Sequence, residues 1–71
     1  MNLGPRIRKL RTRQGRTLQA VADACGFTRS LLSKIETGKT VPPVATLTRI
    51  AEALGVAVAD LLAEDGRGGT I

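Results

Sequence analysis

Between Thr28 and Gly38 the chain reads TRSLLSKIETG, and four of these residues, Arg29, Ser30, Ser33 and Lys34, carry hydrogen-bonding side chains at helical spacing. Residues three and four apart stand on neighbouring turns of one helix face, so two cations and two hydroxyls share a side. Such a group suits recognition of an anionic, hydrogen-bonding surface. Nothing in the chain matches it for bond-making chemistry. There is no His, a single Cys, no acidic pair at a motif spacing and no glycine-rich phosphate loop. Cys25 falls on an apolar stripe with no base to activate it, and is expected as a small core residue. No metal ligand set and no cofactor is expected.

The charge distribution points the same way. The net charge is +5 over 71 residues, but residues 1–40 hold nine bases against Asp23 and Glu36, a net of +7. Residues 41–71 hold two bases and four acids, a net of −2. A polyanionic partner facing the first half follows. With 42% hydrophobic residues and Phe27 as the one aromatic, the chain can build one small aliphatic core, suited to a helical bundle rather than a β-sandwich. No apolar run approaches membrane-spanning length and the first ten residues lack a signal-peptide core, so a cytoplasmic protein is expected.

The Arg29 to Lys34 group must be positioned by its own helix and the ones behind it. Leu32 and Ile35 form that helix's apolar back, and Thr28 is its N-cap candidate. Before it, Leu18, Val21, Ala22 and Cys25 make a stripe at i, i+3, i+4 and i+7, capped by Thr17 and ended by Gly26. Two short amphipathic runs about one glycine read as a helix-turn-helix. Leu3, Ile7 and Leu10 predict a first helix from about Leu3 to Gln14, with Arg6, Arg8, Lys9 and Arg13 outward; Arg6, Arg8 and Lys9 are expected as a solvated face. After KTVPP, Val44, Leu47, Ile50, Ala51 and Leu54 predict a helix closed by Gly55. Val58, Leu61 and Leu62 predict a last one from about Val58 to Glu64, with Asp60 complementing its dipole. The expectation is an all-α, compact five-helix domain over residues 1–65, with 66–71 as a glycine-rich flexible tail or the start of a linker.

On Ala22, Gly26, the apolar positions Cys25, Phe27, Leu32 and Ile35, and the run TRSLLSKIETG, the chain resembles the lambda repressor and Cro type of helix-turn-helix transcriptional regulators. The resemblance covers about residues 3 to 64. It implies a lambda-repressor-like fold and sequence-specific binding of double-stranded DNA, as a bacterial or phage regulator and more often a repressor. The helix at residues 28–37 would lie in the major groove. Arg29, Ser30 and Lys34 then match positions that reach base edges, with Ser33 beside them. Leu31 is equally placed for a thymine methyl or for packing against Thr28. The resemblance further implies an ion pair of Arg11 with Glu36, fixing the first helix against the third and aiming the guanidinium at a phosphate.

Phosphate contacts are expected from Thr17, Leu18 and Thr28 near helix N-termini, where backbone amides and the helix dipole favour an anion. Lys39 and Thr40 in the following loop, with Arg11 and Arg16, complete the set. One departure stands out: where many relatives carry a Gln that clamps a phosphate and braces the first recognition residue, this chain has Leu18. The run RTL at 16–18 resembles the branch followed by a cupin-type sensor, so the chain reads either as the amino-terminal piece of a longer regulator or as a stand-alone one. A homodimer on a palindromic operator is implied, with Val56, Val58 and Leu61 as the surface to inspect and Leu61 favoured as core. Two other readings stay open from the residues alone: a protein-binding module, and nonspecific binding of nucleic acid, RNA included.

Overall fold

The computed structural model describes residues 3–62, and the expectations for the tail at 66–71 and the domain boundary at 65 lie outside them. Five helices follow in order: α1 (Leu3–Arg13), α2 (Leu18–Cys25), α3 (Arg29–Glu36), α4 (Val44–Leu54) and α5 (Val58–Leu62). No strand occurs among the described residues. Helix α2 packs on α3 and α4, α1 lies across α3 and α5, and α4 meets α5.

Local chemistry sets the boundaries. The Thr17 and Thr28 hydroxyls each accept a backbone N–H three residues on, from Ala20 and from Leu31, both at 3.0 Å. These are the side-chain caps that satisfy otherwise orphaned donors. At the end of α2, Gly26 takes φ 76°, a left-handed conformation that side-chain-bearing residues adopt only with strain. Its N–H and that of Phe27 close back onto Asp23 and Ala22. Pro42 and Pro43 keep the chain extended before α4, which begins without a side-chain cap. In α5 the Asp60 carboxylate accepts the Ala57 N–H at 3.0 Å, half of a capping box, which is more specific than a dipole contribution.

The core is aliphatic: Ile7, Val21, Ala22, Cys25, Leu32, Ile35, Leu47, Ile50, Ala51, Leu54 and Leu61 are buried. Two expected members are not in it. Val44 is 73% exposed, because it is the first residue of α4 and lies beyond the neighbouring helices. Leu62 is 38% exposed while Leu61 is buried, so the last turn of α5 presents one leucine to the core and not both. Val56 and Val58 are half-buried against that core.

Three hydrogen bonds and one close backbone approach tie distant elements together and were not foreseen from the sequence. The Gln14 amide donates to the Leu54 carbonyl at 2.7 Å, and the Arg16 guanidinium donates to the Ala53 carbonyl. Both carbonyls belong to the last turn of α4, where no intrahelical donor remains, so the α1–α2 connection caps α4. Arg6, expected on a solvated face, donates to the Asp60 carbonyl at 3.0 Å. Finally, Gly4 in α1 lies directly over the Ile35 and Glu36 carbonyls of α3, so close that no Cβ fits between the two backbones.

Candidate nucleic-acid interface

Helix α3 turns Leu32 and Ile35 inward at 0% and 2% exposure, and this fixes what points the other way. Arg29, Ser30 and Lys34 are exposed and Ser33 is half-buried. All four line a single shallow depression together with Leu18, Thr37 and Lys39. The set expected from spacing is therefore brought together, and it is joined by two residues whose role in it the spacing did not give. Thr37, one turn beyond Ser33, was missed although its position at i+4 from Ser33 was a usable signal. Leu18 was expected to matter through its backbone amide, yet it is itself one of the residues that line the depression beside α3.

Charge on this surface is of one sign. Arg29, Lys34 and Lys39 stand around the depression, and no carboxylate is among its lining residues. The one acid on α3, Glu36, is 8% exposed and turned away, held by Arg11 through Nε to Oε2 at 2.8 Å and Nη2 to Oε1 at 3.1 Å. That ion pair is the one implied by the resemblance, and its two-pronged geometry is the strong form of the contact. The carboxylate raises the Arg11 pKa further above its ordinary value, mainly through the hydrogen bond, with burial acting against it.

Arg11 sits where the ion pair places it, and it and Arg16 also make contacts the sequence did not give. The Arg11 side chain is 12% exposed, and its third nitrogen, Nη1, donates to the Arg16 carbonyl at 3.0 Å. Arg16 caps α4. Both guanidinium groups donate to acceptors within the domain and so brace the helices. The positions left at the rim are Thr17, Thr28 and Lys39, all exposed. The two threonine hydroxyls accept capping bonds and keep their own protons available to donate. The amides that open α2, beginning with that of Leu18, lack intrahelical acceptors. Thr40 is half-buried and lines a separate apolar hollow with Leu3, Gly4, Ile35, Gly38 and Val41. Leu31 is 38% exposed and is not among the residues of the depression.

The remaining chemistry-bearing group is Cys25, which is buried at 3% exposure, with Sγ directed at the Arg49 carbonyl at 3.8 Å. Burial pushes its thiol pKa up, and the charges of Arg16 and Arg49 only partly oppose this. The group is a small core residue, as expected. Among the described residues no cluster of ligating side chains could hold a metal ion, and no helix is long and apolar enough to cross a membrane.

Five helices, a glycine turn between the second and third, and a basic hydrogen-bonding face on the third define a helix-turn-helix domain. The family model described as a helix-turn-helix domain matches residues 2–64, and the chain belongs to that family. It is 42% identical over 59 residues to the SPbeta prophage-derived uncharacterized HTH-type transcriptional regulator YonR of Bacillus subtilis, covering 83% of this chain and 55% of YonR. Among solved structures it is similar to the clp gene regulator ClgR from C. glutamicum, with TM-score 0.83 and 34% identity, covering 86% of this chain and 79% of that one. It is also similar to the chain solved as the master regulator for biofilm formation SinR in complex with DNA, with TM-score 0.81 and 32% identity, covering 86% of this chain and 98% of that one. The chain spans about half the length of the first curated relatives it matches.

Proposed function

We propose that this domain binds double-stranded DNA in a sequence-specific way as part of a bacterial or phage transcriptional regulator, acting as a repressor, with α3 in the major groove. The observation that carries this reading is the depression along the outward side of α3, where Arg29, Lys34 and Lys39 surround two serines and a threonine with no acid among them. A major groove admits one α-helix, and base edges there present distinct donor and acceptor patterns. Arg29 can fork onto guanine O6 and N7, Lys34 donates to a second acceptor, and Ser30 and Ser33 serve either sense. Thr17, Thr28, Lys39 and the α2 amides hold the phosphates and set the register. Arg11 and Arg16 act from behind by fixing α1, α3 and α4 to one another. The same reading places the protein in the cytoplasm, with DNA.

An eight-residue helix reads only a few base pairs, which supports action as a homodimer on a palindromic operator. Half-buried Val56 and Val58 with the exposed Leu62 gather on α5 and the turn before it, and this is the surface we assign to that contact. Selection of bound sequences from a random duplex pool tests the reading. Arg29→Ala should then cost about 1–3 kcal/mol on the selected site and relax preference at one position, whereas Lys39→Ala should weaken all duplexes alike and lower the salt slope by about 1. Equal effects of both variants on selected and random DNA would show that the division between base and phosphate contacts is wrong.

A further inference from the structure

The seven residues of the depression include six with hydrogen-bonding side chains and one without, Leu18. Its position is not that of a loose surface leucine. It is the first residue of α2, directly after the Thr17 cap, and it is half-buried and packed against the core, which restricts its side chain. An apolar edge among donors cannot hold a phosphate or a polar base atom. In the major groove the one apolar feature a base presents is the C5-methyl group of thymine.

We propose that Leu18 is a specificity-determining residue that selects a thymine in each half-site by covering its methyl group, beside the base pair that Arg29 reads. This inference rests on the DNA-binding reading above. Leu31, the exposed leucine of α3, lies outside the depression and does not share this role.

The test starts from the DNA and uses the unaltered chain. Within the site selected from a random pool, each thymine is replaced singly by deoxyuridine, which removes the methyl and nothing else. One position per half-site should lose about fourfold in affinity, the effect of uncovering one buried methyl-sized group. Leu18→Ala should bind the thymine and deoxyuridine sites equally, Leu18→Met should keep the discrimination, and Leu31→Ala should leave it intact, with folding of each variant checked by circular dichroism. If no thymine is methyl-sensitive, or the sensitivity survives in Leu18→Ala or vanishes in Leu31→Ala, the assignment is overturned. A pool that yields no preferred sequence would instead overturn the DNA-binding reading itself.

Discussion

Replacing Gly4 by Ala sets two physical effects of opposite sign against each other. Inside a helix, Ala is favoured over Gly by up to about 1 kcal/mol, so propensity alone expects Gly4→Ala to stabilise the domain. The packing of α1 on α3 opposes this. A Cβ on residue 4 would lie 2.6 Å from the Ile35 carbonyl oxygen and closer still to that of Glu36, where real Cβ contacts essentially never fall under 3.0 Å. The obstacles are backbone atoms of a helix whose far side is seated in the core by Leu32 and Ile35, so neither can swing aside as a side chain would. The two helices must separate, loosening Ile7 against the core and pulling on the Arg11–Glu36 pair. Overpacking of this kind costs about 1–3 kcal/mol, and rigid neighbours place it at the upper end. After the propensity gain the expected net loss is about 1–2 kcal/mol. For a domain of this size that lowers the melting temperature by roughly 5–15 °C. Thermal unfolding followed by circular dichroism reads it directly. A variant as stable as the parent, or more stable, would refute the claim that α1 and α3 meet backbone to backbone at this glycine.

Three further outcomes follow from the same contacts. Glu36→Ala strands a mostly buried guanidinium and should cost about 3 kcal/mol, whereas the double change Arg11→Met with Glu36→Leu should come within about 1 kcal/mol of the parent, both read by urea unfolding. Arg16→Met should lower stability by about 1 kcal/mol by leaving the Ala53 carbonyl short of a donor, yet leave the salt dependence of DNA binding unchanged. For Cys25 the folded-state pKa is raised, so its contribution to stability is complete at neutral pH and is lost as pH rises through the ordinary thiol value of 9.0 and beyond, while the unfolded thiol ionises first. Alkylation of the native protein near neutral pH should accordingly be slow, and Cys25→Ala should remove that part of the alkaline loss measured by urea unfolding.

What could be read in the chain beforehand was whatever depends on near neighbours. The stripes of Leu18, Val21, Ala22 and Cys25, and of Leu32 and Ile35, repeat at the helical period and turned inward as that period requires. Thr17, Thr28 and Gly26 act on residues within four positions of themselves, and their roles needed no tertiary knowledge. The misjudged residues are those whose partners lie far off in sequence. Arg16 is one basic residue among many until α4 ends beside it, 37 positions later. Gly4 reads as an unremarkable glycine in a first turn until the carbonyls of Ile35 and Glu36 arrive beneath it. Val44 has the right period for burial, but period does not say how far along a helix its neighbours reach. In the depression itself, the four residues on α3 were legible from their spacing. Leu18 was not, because it comes to lie beside them only through the packing of α2 on α3.

On the proposed function, the outward side of α3, with the openings of α2 and the loop after α3, is the face that meets DNA. Titrating the isotope-labelled protein with the selected duplex and following its amide resonances locates that face residue by residue. The expected changes cluster on Thr17, Leu18, Thr28 to Lys34, Thr37 and Lys39, and weaken together as salt is raised. Changes centred instead on the outward sides of α1 or α4, at residues such as Arg8, Thr48 or Glu52, with the α3 resonances unmoved, would contradict it.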